Sequence, residues 1–164
     1  MLGQDSGIVK AQGEIMIREA RDEDVAAIVA LFAADGIGGH GDTSDAEALP
    51  AYRAAFAQIC ASPNDRLYVA ELGGDIVGTF QTTLAPRMTG RGRPVFTIEA
   101  VQTRADKRGR GIGAAMMRFA IAAAHESGAR LVQLSSNAAR TDAHRFYERL
   151  GFAKTHVAFK MKLG

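Results

Sequence analysis

The chain has no tryptophan, one cysteine and four prolines in 164 residues. A single cysteine, Cys60, cannot close an intramolecular disulfide, so the fold must rest on its core, and a reducing compartment suits it. Cys60 falls in the apolar rhythm Tyr52, Phe56, Ile59, Cys60 and reads as helix core rather than nucleophile. No apolar run approaches the roughly 18 positions that a membrane span needs, so no membrane partner is expected. Excess charge is also scarce. A formal net charge of +2 is too small for whole-surface attraction to nucleic acid, and any basic function must come from a local cluster. Residues 1–14 lack the apolar stretch of a signal peptide and read as a disordered extension or a cloning remnant. The expected location is the cytoplasm.

What remains is an ordinary globular composition, 47% hydrophobic and 23% charged, which is enough to build one core over residues 15–164. Ile15 to Arg18 reads as a first strand. Asp22 looks like the N-cap of a helix on which Val25, Ile28, Val29 and Phe32 recur with helical spacing. Gly36 to Asp45 is glycine-rich and reads as a loop. A second amphipathic helix is expected from about Ala46 to Ala61, stopped by Ser62-Pro63-Asn64-Asp65. Leu67 to Leu72 and Ile76 to Gln81, joined by Gly73-Gly74-Asp75, predict a β-hairpin. Pro86 to Pro94 is a basic loop, and Val95 to Thr103 a β-branched strand. A long Ala- and Met-rich helix runs from Gly111 to Ser127 and ends at Gly128. Leu131 to Ser135 is another strand, Asp142 to Leu150 a short helix closed by Gly151, and Thr155 to Met161 a final strand. The order predicts an α/β (mixed α+β) domain: a mixed, mostly antiparallel sheet with helices on both faces.

The chemistry concentrates between Glu99 and Phe152. Arg104, Lys107, Arg108 and Arg110 stand against Asp106 alone, a local charge of +3 over residues 104–110. Gly109, Gly111 and Gly113 let backbone N–H groups turn toward one point, and the helix that follows adds its unpaired N–H groups and positive dipole end. Together these make a cradle for a pyrophosphate. Three readings compete. A solvated, glycine-capped turn is the simplest. Gly109, Gly111 and Ala114 also satisfy the G-x-G-x-x-A dinucleotide pattern, but the first strand-to-helix turn and the later acidic residue that it requires are missing.

The third reading is a family resemblance. Arg108-x-x-Gly111-x-Gly113 resembles the R/Q-x-x-G-x-G/A signature of GNAT acetyltransferases, in the same setting after a strand and before a long helix. Downstream, Asn137 follows the next strand, and Ala143-His144-Arg145-Phe146-Tyr147-Glu148-Arg149-Leu150-Gly151-Phe152 resembles the A-x-x-F-Y-x-x-x-G-F segment of the same superfamily. The resemblance spans essentially Ile15 to Leu163, in the first half by element order more than by residues. It implies a GNAT-like fold and an N-acetyltransferase that moves an acetyl group from acetyl-CoA to a primary amine of a small molecule. It also implies that backbone groups of Val101, Gln102 and Thr103 on a bulged fourth strand hold pantetheine. Arg108, Gly109, Arg110, Gly111, Ile112 and Gly113 would take the pyrophosphate, with Asn137 also at the coenzyme. The run from Leu134 to Tyr147 is similar to that of aminoalkylphosphonate N-acetyltransferases, and Arg87, Arg91 and Arg93 could meet an anionic acceptor. A protein or peptide acetyltransferase, or a non-catalytic acyl-CoA-binding regulatory module, are the alternatives. A homodimer is an arrangement common among such relatives.

The reaction itself asks for more groups. An alkylamine with a pKa near 10.4 is neutral in only about 1 molecule in 2,500 at pH 7, at a cost of roughly 4.6 kcal/mol, so a base is useful. Glu99, set in the apolar stretch Phe96 to Val101, is the candidate base, directly or through water. Tyr147 matches the family tyrosine that protonates the leaving thiolate. His144, on the same face, reads as exposed or supporting. His40, His125 and His156 have no metal-ligand spacing, and no metal is expected.

Overall fold

The computed structural model describes residues 13–37 and 40–164. Strand β1 (Ile15–Glu19) leads through a 3₁₀ turn to helix α1 (Val25–Ala33); helix α2 (Leu49–Ala61) follows a second such turn. Strands β2 (Asp65–Leu72) and β3 (Asp75–Ala85) form the expected hairpin, and β4 (Val95–Thr103) returns beside β3. Helix α3 (Ile112–Glu126), strand β5 (Val132–Leu134) and helix α4 (Thr141–Arg149) complete the order. The strands lie in sequence order, antiparallel except for the parallel pair β4–β5. The mixed sheet read from the sequence is therefore what forms.

Alternation along β2 assigns the two faces. Leu67 and Val69 pack with Val25, Ile28, Val29 and Phe56 of α1 and α2. Tyr68, Ala70 and Leu72 belong to the opposite cluster, built around Ile112, Met116, Met117, Ala120 and Ala124 of α3. Those five α3 positions recur on one helical face, and all are buried. Fully burying side chains the size of Ile112, Met116 and Met117 contributes about 1.5–3 kcal/mol each. Gly128, at φ 74°, ends α3. Gly78 on β3 is glycine for another reason: a Cβ there would stand 2.9 Å from Met116 Sδ. Close crossing of helix over strand, rather than a turn, fixes that residue.

Three expectations need correction. Thr155 to Met161 is not a strand: residues 152–164 carry no regular structure, and Phe159 is 94% exposed. The period-2 apolar pattern is present, but β5 pairs over only three residues, with β4, and the tail joins no ladder among the described residues. Cys60 is exposed, not core. Phe56 is buried and Tyr52 and Ile59 pack beside it, whereas Cys60 lies one residue, about 100°, beyond Ile59. Asp22 makes no cap; it opens the 3₁₀ turn, and its carboxylate takes a hydrogen bond from Arg53 instead. Asp24 caps in its place, accepting from the Arg21 amide at 2.7 Å. The extension expected over residues 1–14 lies outside the described residues except for Gly13 and Glu14.

Candidate active site

β4 and β5 are hydrogen-bonded neighbours only from Phe96↔Val132 to Ile98↔Leu134. β5 then stops, while β4 runs on to Thr103. The cause is local. Thr79 opposes Gln102 and Gln81 opposes Glu99, so two residues of β4, Ala100 and Val101, face Phe80 alone. Ala100 takes up the extra residue at φ 53°, a left-handed conformation that is rare outside glycine. The bulge bends β4 away from β5 and leaves its β5-side edge unpaired from Glu99 to Thr103 among the described residues. Such an edge can pair with one further extended chain.

The strand delivers this open edge into the cradle. Gly109 and Gly111 both adopt left-handed φ, 74° and 78°, and nothing lies within 4 Å of where their Cβ atoms would be. Gly111 is the residue before α3, and its carbonyl accepts the first helical bond, from Ala115 at 2.9 Å. The amides of Gly109 to Ala114 donate to no backbone acceptor among the described residues. Arg104 and Lys107 both pair with Asp106, whereas Arg108 and Arg110 have no carboxylate partner among the described residues. Free amides, a helix N-terminus and two uncompensated guanidiniums fit a pyrophosphate. Ile112 contributes only its amide, since its side chain is buried. A hollow of about 260 Å³ lined by Ala30, Leu31, Ala34, Gln102, Arg104 and Arg108 adjoins the cradle rather than Tyr147.

Gly113 also lies close to α4: a Cβ on it would stand 3.4 Å from the Phe146 ring, an ordinary contact. The Tyr147 ring packs against Phe146 and edge-on against Phe152, with centroids 5.2 and 5.9 Å away. Its hydroxyl takes part in no hydrogen bond with the described residues and is free to donate. Burial pushes the phenol above its ordinary pKa, and the Arg140 charge pulls it partly back, so it is protonated at neutral pH.

Glu99 is exposed, at the point where the two strands part, next to the left-handed Ala100. Asn137 closes a turn: its Oδ1 accepts from the Ala139 amide and its carbonyl from the Arg140 amide, both at 2.9 Å. His144 Nε2 stands 2.9 Å from the same carbonyl, a supporting contact. Gln102 donates from Nε2 to Asp35 at 2.9 Å. The basic loop is elsewhere. It precedes Val95 at the far end of β4, and Arg93 hydrogen-bonds the Gly128 and Ala129 carbonyls beyond α3. Asp35 and Arg140, which the sequence reading passed over, share an ion pair beside this site. One signal was available: an acidic residue just after the C-terminal end of a helix opposes the helix dipole and needs a partner.

An open strand edge that leads into a turn of left-handed glycines and cations, with a half-buried neutral phenol nearby, fits a transferase that uses an activated, phosphate-bearing donor. Comparison with known proteins agrees. The acetyltransferase (GNAT) family profile matches residues 25–152. The chain belongs to that family and is an acyltransferase. It is 31% identical over 113 residues to the aminoalkylphosphonate N-acetyltransferase of Salmonella typhimurium, covering 69% of this chain and 73% of that one. The crystal structure of a transcriptional regulator from Bacillus halodurans superposes with a TM-score of 0.88 at 38% identity, covering 92% of this chain and all of the other. An aminoglycoside N-acetyltransferase solved with coenzyme A shares the fold, with a TM-score of 0.77, 18% identity and coverage of 94% and 99%.

Proposed function

We propose that the chain transfers the acetyl group of acetyl-CoA to a primary amine of a small molecule by direct attack in a ternary complex. The observation that carries this reading is the unpaired β4 edge running straight into the left-handed glycines of the cradle. Backbone groups of Val101, Gln102 and Thr103 would hold pantetheine as an added strand. The amides of Gly109 to Gly113, with Arg108 and Arg110, would hold the pyrophosphate, and Asn137 would border the coenzyme. The donor supplies the acetyl thioester. Glu99 takes the amine's proton through water, as its exposure suits, and the Tyr147 phenol protonates the departing sulfur. Most of the acceleration would come from holding donor and amine in register.

The similarity to an aminoalkylphosphonate acetyltransferase makes amines bearing an anionic group the first acceptors to try, with aminoglycosides second. A non-catalytic acyl-CoA-binding regulator is the second reading, favoured by the 38% identical structure described as a transcriptional regulator. The free phenol of Tyr147 weighs against it, because a sensor needs no acid. A screen of amines with acetyl-CoA, read as thiol release and acetylated product, tests both. Tight coenzyme binding without turnover on any amine or peptide would favour the regulator. A cytoplasmic homodimer completes the proposal; a partner would cover the exposed Val157 and Phe159, and light scattering would measure its mass.

A further inference from the structure

Asp35 lies two residues beyond α1, where the chain leaves for the loop to α2. Its carboxylate is nearly saturated. Oδ1 accepts from the Ile37 amide at 3.2 Å, while Oδ2 accepts from Gln102 Nε2 at 2.9 Å and from Arg140 Nη2. The side chains of Arg140 and Asp35 are 25% and 11% exposed, so the pair is mostly withdrawn from water. Three segments distant in sequence thus meet at one carboxylate: the end of α1, the open stretch of β4, and the first residue before α4. Arg140 is the N-cap of α4; its own amide donates to Asn137, and its carbonyl takes the first helical bond, from His144. A cation at a helix N-terminus opposes the dipole, and Asp35 offsets that cost. Two turns further along the same helix stands Tyr147.

We propose that Asp35 and Arg140 are positioning residues for Tyr147: Asp35 holds the guanidinium so that its charge supports proton donation by the phenol and locks α4 to the coenzyme strand. The proposal rests on the acid role assigned to Tyr147. In that step the amine nitrogen bonds to the acetyl carbon, the carbon–sulfur bond breaks, and sulfur takes the Tyr147 proton. The phenolate then recovers a proton originating from the amine, so protons balance and no other reactant is needed. A cation beside the phenol stabilises the transient phenolate. Other ionisable groups nearby are differently engaged. His144, on the same helix, turns to the Asn137 carbonyl, and Glu99 on β4 is exposed. Tyr147 is among the partly buried residues packed against the apolar cluster that includes Ile112, Met116 and Met117 of α3.

The test exploits the scarcity of tyrosine: the chain has three. With ¹³C-labelled tyrosine, the Tyr147 ring signal is assigned by its loss in Tyr147→Phe and titrated in the full-length protein. In Arg140→Gln it should titrate at higher pH than in the parent, with Arg140→Lys closer to the parent. Superimposable titrations of parent and Arg140→Gln would overturn the proposal. Should Arg140→Gln not fold, Arg140→Met provides the same titration with the side-chain stem retained. On the acceptor found by the screen, Arg140→Gln should lower kcat about tenfold or more, with KM for acetyl-CoA nearly unchanged. Asp35→Asn should do part of the same damage, and the double variant should be little worse than Arg140→Gln alone. Fully additive losses would sever the link between the two residues. Failure of the acid role itself is separately visible, as parent-like turnover by Tyr147→Phe.

Discussion

The proposed donor side of the molecule, Glu99 to Gly113, and the opposite side, proposed to meet the acceptor, are held by different forces. From Glu99 to Gly113 the geometry is made by backbone: a bulge at Ala100, left-handed glycines at 109 and 111, and amides aimed outward from the start of α3. From β1 to the α1–α2 loop it is made by charged side chains. Arg18 grips Asp24 through two hydrogen bonds of 2.7 and 3.0 Å, and Arg140 grips Asp35. A backbone site recognises a ligand whose shape never varies, such as a pyrophosphate. A side-chain site can be rebuilt residue by residue, which suits a face that must meet a changing acceptor. The comparison predicts that substitutions on the donor side should act on coenzyme binding and chemistry. Those on the acceptor side should act on stability and coupling.

The largest expected effect is on the cradle. In Gly111→Val a β-branched residue is forced to φ near 78°, and the amides beside it turn away from the ligand. Strain of about 1–3 kcal/mol plus lost amide contacts should weaken coenzyme A binding by about 100-fold or more, measured by calorimetry. Gly113→Val should fail differently, by pushing on Phe146 and lowering the melting temperature. Unchanged coenzyme affinity in Gly111→Val would break the backbone account of the donor side.

Next in size is the phenol. Tyr147→Phe keeps the ring contacts with Phe146 and Phe152 and deletes only the donor, so stability should hardly change. Positioned acids contribute about 10²–10⁴-fold, so kcat should fall at least ~10-fold with coenzyme affinity nearly unaltered. A donor with a better-leaving thiol should recover part of the loss. A smaller effect is expected at Glu99. It is exposed and hands its proton through water, which bulk water can partly replace, so Glu99→Gln should lower kcat/KM several-fold, about 10-fold at most. A drop of the size seen for Tyr147→Phe would mean direct contact with the amine.

The same contrast explains what the sequence made legible. β4 was bounded correctly from Val95 to Thr103 because β-branched residues fill it and basic, glycine-bearing segments flank it. The turn before α3 was legible because its left-handed backbone at Gly109 and Gly111 needs glycine, which leaves marks at fixed spacing. Gly113 carries the same mark without a left-handed φ, and spacing alone does not separate the two. Asp35 and Arg140 stand 105 positions apart and belong to no local pattern; only the fold brings them together. The tail from Thr155 to Met161 has strand periodicity without a neighbour to pair with, and periodicity says nothing about neighbours.

The smallest effect, and the one that sharpens the comparison most, is acid sensitivity. Asp24 is buried, and the Arg18 bond, helped by the Arg21 amide, holds its carboxyl below the usual carboxylate range against the cost of burial. For Asp35 burial pushes the other way, but the Arg140 bond, the Ile37 amide and Gln102 together still bring it below that range. A carboxylate whose folded pKa is depressed contributes stability that is fully present above the unfolded value, near pH 4, and is lost as pH falls through the folded value. In the cradle the Arg104 bond also holds the Asp106 carboxyl below its usual range, but Asp106 is exposed and solvent screening leaves that pair little weight in stability. Lowering the pH from 5 toward 3 should therefore raise hydrogen exchange in α1 and in the first residues of α4 before it does so in α3. Correction for intrinsic exchange rates at each pH isolates the structural part. Asp35→Asn should flatten the response at α4 while leaving that at the start of α1, which Asp24 controls. Uniform loosening of all helices would mean that both sides open as one cooperative unit, and the division into backbone-held and charge-held sides would then have no dynamic consequence.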